Sequence, residues 1–154
     1  HKTLIMSLTE RISGDLITAM KSGDKVALEA IRAVKTAFLL AKSEKGQEAL
    51  TPEEELKVIR KLVKQRRESA DIYKQNNRPE LAEKETAEAD VLEKYLPAMM
   101  GEAELEKILR EIIARIGAKT PADMGKVMKE LLPRLQGRAA NDRVSRMVRE
   151  LLQG

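Results

Sequence analysis

The side chains best equipped for chemistry are cations near the C-terminus. Arg143, Arg146 and Arg149 recur every three residues, so they drift slowly around one helix and share a broad side of it. Lys126, Lys129, Arg134 and Arg138 precede them, and over residues 126–154 only Glu130, Asp142 and Glu150 oppose this charge. A guanidinium meets phosphate oxygens through two parallel hydrogen bonds, so the pattern predicts a surface that grips several phosphates. The plainer alternative is an ordinary solvated helix face. Residues 98–154 contain no Phe, Tyr or Trp. That argues against stacking on unpaired bases and for recognition of the backbone and shape of structured nucleic acid.

Catalytic chemistry finds much less to work with. Cysteine is absent and the one histidine is His1, in a stretch His1–Ile5 that reads as an expression-tag remnant ahead of Met6. Thiolate nucleophiles, histidine acid–base catalysis and most transition-metal sites are thereby excluded. Neither Gly-x-x-x-x-Gly-Lys nor Gly-x-Gly-x-x-Gly occurs, so no phosphate-cradling loop is indicated. Glu85 and Glu88 lie three apart on one helix face, but carboxylate metal bundles require Glu-x-x-His pairs that are missing here. Neither a metal nor a cofactor is expected. The spacing predicts instead a structural ion pair, with Arg32 beside the apolar Ile31 as the partner. A second cationic block, Lys57, Arg60, Lys61, Lys64, Arg66 and Arg67, contains no acid. Residues 80–93 hold Glu80, Glu83, Glu85, Glu88, Asp90 and Glu93 against Lys84 alone, and the two blocks are expected to answer one another across antiparallel helices.

These residues need helices to position them. Ala, Leu, Glu, Lys and Arg make up about 55% of the 154 residues, beyond the level at which helical periodicity is the default. Ser7 with Glu10 and Thr51-Pro52 with Glu54 read as capping boxes. Leu8, Ile12, Leu16 and Met20 mark the buried stripe of a first helix ended by Gly23. The second follows Asp24 with Leu28, Ile31, Val34 and Leu39 inward and Phe38 beside them, before a polar loop from Ser43 to Leu50. A third runs to Asn76, and a fourth reaches Tyr95 before Pro97. Leu105, Ile108, Leu109, Ile112, Ile113 and Ile116 define a fifth, ended by Gly117. Thr120-Pro121 opens a sixth, interrupted by Pro133 and Gly137, and Val144, Met147, Val148, Leu151 and Leu152 define the last.

The expectation is an all-α protein: a four-helix module over residues 6–97 and a three-helix tail over 98–154. The first 97 residues carry 18 basic and 17 acidic side chains and the remainder 11 and 8, so the formal charge of +4 is concentrated in the tail. No apolar run approaches the ~20 residues of a membrane span, and a cytoplasmic location is expected. Met99-Met100 are read as core filling, with a groove for a protein partner as the alternative, and Gly125, one turn into a helix, suggests close helix approach or a backbone contact.

Taken in order, Lys64-Gln65-Arg66-Arg67-Glu68-Ser69, Tyr73, Glu85, Glu88, Tyr95-Leu96-Pro97, Asp123-Met124-Gly125-Lys126-Val127-Met128 and Gly137-Arg138-Ala139 with Val144-Ser145 resemble the YqeY-like family. The likeness spans Met6 to Leu152. Residues 98–153 also resemble the tail domain of the B subunit of the tRNA-dependent amidotransferase (GatB). The resemblance implies a helical N-terminal domain joined to a tail associated with binding the body of tRNA, alone or beside a partner in the aminoacyl-tRNA or amidotransferase pathway. It marks Lys126, Gly137 and Arg138 as candidate RNA contacts. The carbon–nitrogen ligase activity with glutamine as amido donor that family members carry as a label belongs to the larger enzyme, whose catalytic machinery this chain lacks. One departure stands out: Ala140-Asn141-Asp142 replaces the family's Asp-Gly-basic run, placing a carboxylate where a cation would aid phosphate binding, with Asn141 expected to cap the last helix.

Overall fold

The computed structural model describes Met6–Gln153; the proposed tag remnant, His1–Ile5, and Gly154 lie outside the described residues. The protein is all-α, and the chain divides into two compact units, residues 1–96 and 97–154. The first holds α1 (Leu8–Ser22), α2 (Lys25–Lys45), α3 (Pro52–Gln75) and α4 (Pro79–Glu93). The second holds α5 (Glu102–Ile116), α6 (Met124–Leu135) and α7 (Asn141–Gln153), with a 3-10 turn at Pro121–Asp123 leading into α6.

Local signals set most of the helix ends. Ser7 accepts the Glu10 N–H at 3.1 Å, and Asp24 accepts that of Ala27 at 3.0 Å. At Thr51 the capping box is complete: its hydroxyl takes the Glu54 N–H while the Glu54 carboxylate takes the Thr51 N–H. Gly23 and Gly117 close α1 and α5 in the left-handed region, where a side chain would be strained.

Three expected boundaries shift. α2 continues through Ser43, Glu44 and Lys45 and stops at Gly46, φ 64°. These residues are polar but compatible with a helix, so the left-handed glycine, not polarity, ends it. Pro133 does not interrupt α6. It removes one N–H within two residues of the helix end, while Leu131 and Leu135 are buried on either side of it. The helix ends where Gln136 (φ 48°) and Gly137 (φ 74°) both turn left-handed. Asn141 does not cap α7. Ala140 occupies the capping position, its carbonyl taking the Val144 N–H at 3.0 Å.

In the N-terminal unit the core gathers Ile12, Ala30, Ile31, Val34, Phe38, Ile59, Leu92 and Tyr95. Tyr95 ties the end of α4 to α1: its hydroxyl donates to Asp15 at 2.5 Å, and the Arg11 guanidinium lies over its ring, 4.7 Å from the centroid. Burial first and the Asp15 carboxylate second push the phenol well above its ordinary range. Met20 and Leu39, expected in the core, are 57% and 63% exposed. The tail has its own core, in which Leu105, Leu109 and Ile112 meet Val127, Leu131, Leu135, Val144 and Val148. The Met99-Met100 pair splits, with Met100 buried in this core and Met99 exposed.

Candidate nucleic-acid interface

Burial of the apolar stripes decides which cations face solvent. α6 turns Val127, Leu131 and Leu135 inward, leaving Lys126 and Lys129 exposed on the far side. α7 turns Val144, Val148 and Leu152 inward, leaving Arg146 and Arg149 exposed. Among the described residues, Lys129, Arg146 and Arg149 enter none of the ion pairs. Lys126 is balanced in part by Asp123. That carboxyl is held below its usual range by hydrogen bonds from the backbone N–H groups of Lys119 and Thr120, with Lys126 adding to the effect.

The remaining sequence candidates are held within the tail. Arg134 approaches Glu111 at 3.8 Å. Arg138 donates from Nε to the Ala98 carbonyl at 2.8 Å and from Nη1 to Glu104 at 3.5 Å. Arg143 donates from Nη2 to the Met100 carbonyl at 2.6 Å, while its Nε is buried without a hydrogen-bond partner among the described residues. The Met100 N–H in turn donates to the Arg138 carbonyl at 2.7 Å. Residues 98–100 are thus stitched along the turn between α6 and α7. Gly137 provides the left-handed step that brings Arg138 to them. Arg143 also leaves the side shared by its neighbours: six residues at ~100° each put it ~120° around the helix from Arg149.

Two members of the α3 block, Arg66 and Arg67, meet carboxylates of α4, while Lys64 pairs with Glu68 on its own helix. Arg66 Nε lies 3.2 Å from the Glu88 carboxylate, with both side chains mostly buried. Arg67 donates to Asp90 at 2.9 Å and also binds Glu93, which further secures its proton. The expected Arg32 partner is therefore a correction. Arg32 is exposed and the guanidinium on Glu88 comes from Arg66. Glu85 forms none of the ion pairs among the described residues and acts only at longer range on Lys84, which pairs with Glu29 at 3.2 Å. At Gly125 one of the two expected readings fails. A Cβ there would meet nothing within 4 Å, so no close helix approach explains it.

Sequence reasoning missed the Ala98 and Met100 carbonyls as arginine partners, since a backbone acceptor has no residue-type signature. Asp123 did carry a signal: Thr120 and Asp123 stand at capping-box spacing, and the Asp123 carboxylate accepts the Thr120 N–H at 3.2 Å. Among the described residues, no three His, Cys, Asp or Glu gather as a metal site, and no helix is long and apolar enough to cross a membrane.

Two helical units, one pairing Arg66 and Arg67 with carboxylates across its helices and one turning cations outward, define an all-α protein. The chain belongs to the YqeY-like family: the profile described as Yqey-like protein matches residues 9–152. It is similar to altered inheritance of mitochondria protein 41, mitochondrial, of Pyrenophora tritici-repentis, with 29% identity over 146 residues covering 92% of this chain and 79% of that protein.

Proposed function

We propose that the protein is a non-catalytic binder of structured RNA, with tRNA the first candidate, acting in or beside the aminoacyl-tRNA or amidotransferase pathway. The observation that carries this reading is the outward display of Lys126, Lys129, Arg146 and Arg149 in a tail without aromatic side chains. Such a surface fits phosphates and carries no platform for unpaired bases. Arg138 and Arg143 support it by tying residues 98–100 to the turn between α6 and α7. A cytoplasmic location belongs to the same proposal; the word mitochondrial in the relative's name describes that relative.

The test is tRNA binding across a salt series by the wild type and a Lys129→Ala/Arg146→Ala variant. Removing one cation from a phosphate should flatten the log–log salt dependence by roughly 0.7–0.9. A weak affinity that both proteins share and salt leaves unchanged refutes the reading. Asp142→Lys, which restores the family's positive charge at the start of α7, should tighten binding. Glutaminase and transamidation assays on the isolated protein should show no turnover.

A further inference from the structure

In the N-terminal unit, α1, α2 and the segment before α3 enclose a groove of about 440 Å³, within the size range of small-ligand sites. Ile12, Phe38, Leu39 and Leu50 give it an apolar lining, and Thr9 and Ser13 contribute hydroxyls. Glu55 lines the same groove at 7% exposure. Its carboxylate accepts the Thr9 hydroxyl at 2.5 Å, and it enters none of the ion pairs formed by the described residues. A carboxylate offers about four acceptor sites, and one hydroxyl fills only one of them. The first turn of α3 supplies a favourable dipole to Glu55 but no counter-cation. A buried carboxylate in an apolar cavity is costly unless a cation or a proton completes it, and a cationic ligand would keep it ionised.

We propose that this groove binds a primary ammonium carried on an apolar stem, the ammonium meeting Glu55 and the stem lying along Ile12, Phe38 and Leu39. Lys35 and Lys42 also line the groove and would favour a carboxylate instead. Burial decides between the two signs. Lys35 is exposed and Lys42 half-buried, so water screens both. A charge at a given distance is felt about four times more strongly at an effective dielectric near 20 than in bulk water. The buried carboxylate therefore sets the preference, and the better-solvated Lys35 and Lys42 modulate it.

Calorimetric titration of the full chain with n-hexylammonium, n-hexanoate and n-hexanol tests the assignment. The ammonium should bind about tenfold more tightly than the alcohol, the worth of one charge-assisted hydrogen bond. Glu55→Gln keeps the shape and an acceptor for Thr9, and should bring the ammonium down to the alcohol's affinity. Leu39→Ala removes an exposed wall without disturbing the core, and should weaken all three probes alike. Lys42→Gln should leave ammonium binding unchanged or tighter, which keeps the proposal testable if Glu55→Gln does not fold. Tightest binding of hexanoate, equal affinity for all three probes, an unaltered Glu55→Gln profile, or weaker ammonium binding by Lys42→Gln would each overturn it.

Discussion

Both units pair arginines with carboxylates, but the tail also holds two of its arginines by main-chain carbonyls. In the N-terminal unit Arg66 and Arg67 meet carboxylates presented by the neighbouring helix: Glu88 for the first, Asp90 and Glu93 for the second. In the tail Arg138 and Arg143 reach the main-chain carbonyls of Ala98 and Met100, with Glu104 at a longer distance from Arg138. A carboxylate neutralises a guanidinium; a carbonyl orients it and leaves the charge standing. The N-terminal 97 residues, with 18 basic against 17 acidic side chains, therefore present little net field. The tail keeps its surplus and turns Lys129, Arg146 and Arg149 outward. Clustered arginine thus means scaffold in one place and a candidate phosphate surface in another.

The contrast breaks most readily at Arg66. Removing this side chain leaves Glu88, 6% exposed, without its cation. Arg66→Ala should destabilise the N-terminal unit by about 3–5 kcal/mol in urea unfolding, whereas Arg66→Met/Glu88→Leu should recover most of the loss. If the single variant costs under about 1 kcal/mol, the pair behaves as a surface ion pair and the contrast fails. At Arg143 the effect should be smaller, because a neutral carbonyl is left behind. Arg143→Met should cost about 1.5–3 kcal/mol, the range for a hydrogen bond to a charged group. A loss equal to that of Arg66→Ala would erase the distinction between carboxylate and carbonyl partners.

How much of this could be read from residue types follows the same division. Helix number, the main caps and the tail core were legible because each depends on local spacing: Thr51 with Glu54, Gly117, and the stripe from Leu105 to Ile112. That α3 cations would meet α4 acids was legible too, from complementary runs of opposite sign, though only Arg66 and Arg67 of the block are seen to do so. The choice of Arg66 over Arg32 was not, because two helices could each offer a guanidinium and only packing selects one. The inward roles of Arg138 and Arg143 were equally hidden. Their partners are carbonyls, which every residue possesses. Leu39 was assigned to the core by its type, yet α2 buries Phe38 instead and leaves Leu39 on a groove wall.

Gly125 sharpens the comparison from the side of the tail. It lies at the second position of α6, with open space where a Cβ would project. Gly125→Ala should raise the tail's stability by about 0.5–1 kcal/mol through the entropy of the unfolded chain, as followed by thermal melting. Paired with tRNA titration, it separates two roles. Unchanged affinity means that the glycine is only a local weakness of the helix. A stabilised protein with weakened RNA affinity means that the phosphate backbone comes within reach of α6 at that point.

The smallest expected effect concerns two partly exposed carboxyls, one in each unit. Glu54 is held at about 2, first by its hydrogen bond from Lys45 and then by the Thr51 backbone. Asp123 is held low first by the backbone N–H groups of Lys119 and Thr120. Both are depressed on folding, so each stabilises its unit above the ordinary carboxyl range and loses that contribution as pH falls through its folded value. For Glu54 the window runs from its ordinary 4.5 down to about 2. The partners differ as they do for the arginines: a mobile side-chain charge in one unit, fixed backbone donors in the other. Raising salt to about 1 M shortens the screening length to ~3 Å and should weaken the Lys45 contribution more than the backbone hydrogen bonds. Carboxyl-carbon NMR titrations should then show Glu54 moving up with salt and in Lys45→Gln, while Asp123 stays low in both. Equal salt sensitivity at the two sites would mean that backbone and side-chain partners act on their carboxyls in the same way.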